Sequence, residues 1–272
     1  MKKTKTLLLN SPYIVWSAIF IIVPLVIVAY YAFTGNDGSF SIANIKGLWN
    51  YRDNFLISIE YSLVATAISL VVAYPFAYFL SKASKRSQRT QTMLIMLPMW
   101  MNMLITTYSW MNIFEKNGVI NTIIGKIGIG PVTFLGTPGA VILGMVYNYL
   151  PYMILPIYTV LEKIDVSLIE AAHDLGCNGA TTWWKLILPL SMPGVISGIT
   201  MVFVPSVSTF YISQKLGSGK IMMIGDTIER QMRQQNNYHV GAALSLVLMI
   251  IILLSMFIMN RFSDDSEGGI VV

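Results

Sequence analysis

Charge is the scarcest property of this 272-residue chain: Asp, Glu, Lys and Arg together make 11% of it, while 55% is hydrophobic. A soluble domain carries about 25% charged residues. Half that density cannot cover the surface of a soluble globule this size, so an ordinary soluble enzyme is excluded. Disorder is excluded too, because chains that stay unfolded are polar and charge-rich. Cysteine is almost missing. The one residue, Cys177, rules out an internal disulfide framework or a cysteine-rich metal centre. Histidine is nearly as rare. His173 and His239 fall in separate loops on opposite expected sides, which removes a paired-histidine zinc site. A G-x-S-x-G elbow is absent. Gly217-Ser218-Gly219-Lys220 imitates the end of a phosphate loop, but Gln214 stands where the first glycine belongs and Ile221 where Ser or Thr is required. The sequence therefore offers no catalytic residues, no metal ligands and no nucleotide site, and the net charge of +5 marks membrane edges rather than a nucleic-acid surface.

What is present is a set of long uncharged runs. Residues 6–36, 61–81, 90–114, 127–161, 186–214 and 234–260 contain no Asp, Glu, Lys or Arg, and together they take up 168 residues. A helix needs roughly 20 apolar residues to cross a bilayer. The runs predict an all-α integral membrane protein with six transmembrane helices near 12–33, 57–81, 93–114, 138–161, 187–213 and 239–260. The basic start MKKTKTLLLN precedes an apolar run too long for a signal peptide core, so the first helix is expected to be retained. Lys2, Lys3 and Lys5, then Lys82, Lys85, Arg86 and Arg89, form two compact basic flanks. Placing both in the cytoplasm puts both termini and the loop 162–186 inside, with 10 basic residues inside against 8 outside.

Three further features shape the reading. Prolines 24, 75, 98, 151, 156, 193 and 205 lie in or beside the spans and favour kinked helices. Gly194 and Gly198 share one face of the fifth span, the pattern of close helix packing. From Ile221 to Gln235, Ile221, Ile224, Ile228 and Met232 recur at helical spacing with Asp226, Glu229, Arg230 and Arg233 between them, which predicts an amphipathic helix at the outer membrane surface.

The loop between the fourth and fifth spans carries the most information: EKIDVSLIEAAHDLGCNGATTWWKLILPLSMPGV. Residues 166–175 predict a short helix with an apolar face, stopped by Gly176 in a left-handed conformation. Small Ala171 and Ala172 would allow a partner to approach closely. From these residues alone, docking to a soluble partner and plain packing remain equal alternatives.

The segment resembles the EAA motif of the binding-protein-dependent ABC importer permeases, E-A-A-x3-G-x9-I-x-L-P. Glu170, Ala171, Ala172 and Gly176 match in place, as do Leu188 and Pro189, while Leu186 occupies the isoleucine slot. Four more segments are similar to the spermidine/putrescine branch of that family: DLGCNGATTWWKLILPLSMPGVISG, FYISQKLGSGKIMMIGDTIERQ, YPFAYFLSK at 74–82 and LPMWMN at 97–102. The resemblance implies the type I ABC importer permease fold, a five-helix core over 57–260 behind an additional helix within 1–56, with a tail at 261–272. It implies a permease subunit rather than an enzyme, moving a polyamine across the prokaryotic cytoplasmic membrane by alternating access. It also implies the partners: a second permease subunit, two copies of a cytoplasmic ATPase that hold the ATP and magnesium, an extracytoplasmic polyamine-binding protein and membrane lipid. The short helix around Glu170 would couple this chain to the ATPase.

A flexible polycation held by buried carboxylates would not be released, so aromatic faces and neutral oxygens are the expected contacts. The candidates are Ser206, Ser208, Thr209, Tyr211, Ser213 and Gln214 on the fifth span, Tyr147, Asn148 and Tyr149 on the fourth, and Trp100, Asn102, Tyr108 and Trp110 on the third. Three alternatives stay open. The same machinery could carry an oxyanion or iron, a channel or secondary carrier could work alone, or a membrane enzyme could use a polar cluster at one face.

Overall fold

Lipid offers no partner for backbone polar groups, so apolar runs of this length fold as helices that satisfy those groups internally. The computed structural model describes residues 12, 13, 15–35, 37–128 and 130–268; the basic residues Lys2, Lys3 and Lys5 lie outside the described residues. A π-turn at Ala18–Ile22 leads into α1 (Val23–Ala32). The chain continues through α2 (Arg52–Lys82), α3 (Lys85–Trp100), α4 (Met103–Phe114), α5 (Val119–Lys126) and α6 (Pro138–Leu161). Then come α7 (Val166–Asp174), α8 (Gly179–Ser208), α9 (Tyr211–Leu216), α10 (Ile224–Glu229) and α11 (Tyr238–Gly268). The chain is an all-α membrane protein.

Among the described residues five helices, not six, are long and apolar enough to cross a membrane: Val15–Ala32, Ala43–Lys82, Pro138–Leu161, Gly179–Ser208 and Tyr238–Met259. The expected third span, 93–114, is broken. Met101 is extended, and the Asn102 side chain accepts the Leu104 N–H at 2.8 Å, so a new helix starts there. The expected fifth span, 187–213, is interrupted after Ser208, where Thr209 turns to an extended ψ of 140°. In each case a proline, Pro98 or Pro205, lies three or four residues before the break and leaves the preceding turn short of a donor.

The chain divides into two units. The larger comprises Asn54–Asp226 with Ile252–Val272. Its centre is the pairing of α6 with α8. A Cβ on Gly194 would come within 2.8 Å of the Pro156 carbonyl oxygen, and one on Gly198 within 2.7 Å of the Met153 sulfur, so these two glycines let the backbones meet. That is the packing role their spacing predicts. Around them Met153, Ile157 and Leu161 of α6, Ile187, Val195 and Val202 of α8, and Ala73, Ala77 and Leu80 of α2 form one buried cluster. Tyr74 on α2 and Ser191 on α8 share a buried hydroxyl–hydroxyl hydrogen bond of 2.8 Å. A second cluster joins Val141 and Met145 of α6, Ile212 and Leu216 of α9, Ala65 of α2, Phe114 of α4 and Met223.

That second cluster corrects the expectation of a surface amphipathic helix over 221–235. Ile221 and Met223 are core residues. The Ile224 N–H donates to Ser58 Oγ at 2.7 Å, Asn54 donates to the Met222 carbonyl at 3.1 Å, and the buried Asp226 carboxylate accepts the Met223 N–H at 3.0 Å. The segment is thus buried, with its backbone bonded to α2 and its apolar residues in the second cluster, and only Ile224–Glu229 is α-helical before a π-turn at Arg230–Gln234. The smaller unit comprises the segment up to Asp53 with Thr227–Ile251. In it Ala32 packs on Ala242 and Ala243, Gln231 donates to the Tyr51 hydroxyl at 3.0 Å, and a His239 ring nitrogen lies 3.1 Å from the Tyr31 carbonyl oxygen.

Candidate functional site

The loop after α6 is built by local hydrogen bonding. Asp165 caps α7 by accepting the Ser167 N–H at 3.0 Å, which holds its carboxyl below the usual carboxylate range. At the other end Gly176 has φ +81°. Its N–H donates to the His173 carbonyl at 2.9 Å, and the Cys177 N–H donates to Ala172 at 3.0 Å. This pair of bonds is the Schellman stop, with glycine at the left-handed position. Asn178 starts the next helix by accepting the Thr181 N–H at 2.8 Å. The widened π-turn at Trp183–Ile187 then precedes Pro189, whose ring would meet the Lys185 carbonyl in a regular α-helix.

One face of α7 is anchored and the other is free. Ile164 and Ile169 pack on the α6–α8 cluster. Glu170, Ala171 and Gly176 are exposed, Ala172 and Leu188 are half-buried, and Pro189 is exposed. Val166, Leu168 and Trp184 are exposed as well, and Leu175 is 85% exposed. Val166, Leu168, Ala171 and Leu175 thus form an apolar, small-residue face that the described residues leave uncovered. Next to it Lys85 donates to Glu162 at 2.8 Å, tying the start of α3 to the end of α6. That bond, with one from the Tyr158 hydroxyl, lowers the Glu162 carboxyl from its ordinary value. In the sequence Lys85 counts only as part of a basic flank and Glu162 only as the start of the loop; nothing local pairs two residues 77 positions apart.

The candidate pathway residues divide into four groups. Ser206, Ser208 and Ser213 turn their hydroxyls onto carbonyls of their own helices, Val202, Val204 with Pro205, and Phe210, and Asn148 donates to Gly144 in the same way. Thr209 is buried at the helix break and Tyr149 reaches the Pro205 carbonyl at 3.5 Å. The rings that come together are Trp110 with Tyr147, at 5.2 Å between centroids, and Tyr108 with Tyr211, at 6.2 Å. Trp100 is exposed beside the α3–α4 break, Asn102 is the cap at that break, and Gln214 is half-buried on α9. Sequence reasoning missed Lys215. It stands one position outside an uncharged run, yet its ammonium lies over both the Tyr108 and Tyr211 rings.

Comparison with known proteins places this geometry. The family model described as binding-protein-dependent transport system inner membrane component matches residues 6–266. The chain is 36% identical over 256 residues to the spermidine/putrescine transport system permease protein PotB of Haemophilus influenzae, covering 90% of each chain. It is 34% identical over 258 residues to PotB of Escherichia coli, covering 91% of this chain and 94% of that one. Among solved structures, a bacterial ABC transporter that imports the acidic polysaccharide alginate superposes with a TM-score of 0.76 at 17% identity, over 97% of this chain and 99% of that one. The MetNI methionine ABC transporter in an inward-facing form superposes with a TM-score of 0.63 at 17% identity, over 81% and 98%. The fold is that of type I ABC importer permeases, and the chain belongs to the family of binding-protein-dependent transport system inner membrane components.

Proposed function

We propose that this chain is a membrane subunit of an ATP-driven importer for polyamines, spermidine or putrescine. The observation that carries the reading is the 36% identity to a spermidine/putrescine permease along 90% of both chains. The exposed small-residue face of α7 supports the coupling half of the proposal. Glu170, Ala171, Ala172 and Gly176, with Leu188 and Pro189 at the start of the following helix, would meet a cleft of a cytoplasmic ATPase. ATP and magnesium would be held there, not in this chain. Two such ATPases, a second permease subunit and an extracytoplasmic binding protein would complete the assembly. Closure of the ATPases on ATP would bias the membrane subunits between inward-open and outward-open states. Both termini and the α7 loop would face the cytoplasm.

The uncharged spans set the chemistry of the path. Substrate ammonium groups would pass neutral oxygens and aromatic faces, the latter holding a cation by about 0.5–2 kcal/mol each. The test is uptake of labelled spermidine by cells lacking other polyamine importers and expressing this chain with its ATPase, second permease and binding protein. Uptake that requires every component is expected. Spermidine uptake that persists without the ATPase, or an importer that moves phosphate or iron but no polyamine, overturns the reading.

A further inference from the structure

Lys215 lies one helical turn beyond Tyr211 on α9, and Tyr108 approaches both from α4. The Lys215 ammonium is 5.2 Å from the centre of the Tyr108 ring and 5.7 Å from that of Tyr211. The two rings stand edge to face, 6.2 Å apart at 76°. An ammonium within about 6 Å of a ring centre is drawn to the ring's negative face. Lysine is half-buried here. Among the described residues no carboxylate lies within ion-pair distance of it. The two tyrosines, whose rings flank the ammonium and of which Tyr108 also offers its hydroxyl, are therefore its neighbours in place of an acidic partner. The α8 helix, with its 30 residues, separates this cluster from the α7 loop by about 45 Å at 1.5 Å per residue, so the two sites sit at opposite ends of the span.

The chemistry of the occupant is the informative part. A lysine side chain is a primary ammonium on a four-carbon stem, the same end group that a linear polyamine presents. We propose that Tyr108 and Tyr211 form a subsite for a terminal ammonium of the transported amine, and that Lys215 is a tethered occupant which substrate must displace. The inference rests on the polyamine reading and extends it. A tethered occupant lowers apparent affinity by the fraction of time it leaves the subsite open. Small cations met singly would then be held out, and a polyamine delivered at high local concentration would enter.

The test is spermidine uptake by membrane vesicles carrying the complete importer. Lys215→Met should lower the half-saturating concentration about fivefold by freeing the subsite, and Tyr108→Leu should raise it. In the Tyr108→Leu background the gain from Lys215→Met should vanish, because there is no cage left to free. An unchanged or higher half-saturation in Lys215→Met overturns the proposal. So does a gain that survives Tyr108→Leu, which would mean simple repulsion between Lys215 and the cargo. Lys215→Gln is measured alongside, so that an assembly defect in one variant does not decide the matter. A second readout is independent of transport. Reductive methylation with carbon-13 keeps the lysine charge, and the Lys215 signal, assigned by its loss in Lys215→Arg, should be ring-shifted and should move toward the free position when spermidine is added to the purified importer. A signal unaffected by both spermidine and Tyr108→Leu overturns the cage. A wild-type importer that takes up no spermidine while its methylated Lys215 shows the ring shift sinks the polyamine reading and leaves the cage standing.

Discussion

At the scale of single residues, Gly176 carries the heaviest demand. Its φ of +81° lies in the left-handed region, and a Cβ added there would meet nothing within 4 Å. The cost of replacing it is therefore backbone strain, about 1–2 kcal/mol, and not a clash. Gly176→Val is expected to unwind the end of α7 and abolish coupled uptake while leaving membrane insertion intact. Gly176→Asn is expected to keep part of the uptake, because asparagine tolerates this conformation. Uptake and ATPase co-purification, measured together, check both. The ion pair of Lys85 with Glu162 makes a weaker claim. The Lys85 side chain is 82% exposed and that of Glu162 is 32% exposed, so the bond is worth about 0.2–1 kcal/mol at most. Its sign is fixed by the lowered Glu162 carboxyl: the stabilisation is present above the ordinary carboxylate range and is lost as pH falls through the depressed value. Asp165 behaves likewise. Thermal melting of the detergent-solubilised chain should lose less in acid for Glu162→Gln than for wild type. The Gly176 turn was legible in the sequence, since helix, stop and motif all lie within one loop. Lys85–Glu162 was not, because an ion pair between residues 77 apart leaves no local pattern.

At the scale of elements, the α6–α8 contact and the α3–α4 break show what hydropathy does and does not reveal. Gly194 and Gly198 advertise close packing by their spacing, and the Pro156 and Met153 backbones lie against them. Gly198→Leu should force the helices apart and cost about 1–3 kcal/mol. Gly179→Ala, at an exposed helix start with open space around it, should change the melting temperature little; equal effects for the two would refute the packing argument. The break at Asn102 is different. Its cap signal is written in the sequence, but a stretch of uniform hydrophobicity from 93 to 114 masks it. Removing the cap in Asn102→Ala is expected to cost about 1 kcal/mol, read as lower thermal stability with α3 unaffected. The segment 221–226 failed for a third reason. Its periodicity is amphipathic, but whether such a face meets lipid or protein depends on the partner. Here the face meets the cluster built by α6 and α9, and Ser58 on α2, 166 residues away, takes the Ile224 N–H; no pattern within the segment encodes either.

At the scale of the whole molecule, orientation rests on charge asymmetry, and the asymmetry is small because the later loops carry basic residues on both sides. A single atom can decide it. The chain has one cysteine, Cys177, and it is the residue after Gly176, half-buried with a free thiol. Its N–H is held by the α7 stop while its side chain takes no part in that bond. A membrane-impermeant maleimide should therefore label wild-type protein in inside-out vesicles and leave right-side-out vesicles unlabelled, with Cys177→Ser as the blank. Labelling from the outside would invert the topology and remove the ATPase-facing role of α7 with it. The same reagent reaches the coupling step. If a partner groove closes over the exposed face of α7, assembly with the ATPase should slow the labelling of Cys177 in inside-out vesicles, and ATP-driven closure should change that rate again. Equal rates with and without ATPase would place the docking surface elsewhere, even if the orientation were correct. The scarcity of cysteine, which at first only excludes disulfides and metal centres, thus makes the one thiol a reporter on the loop through which the transporter would be driven.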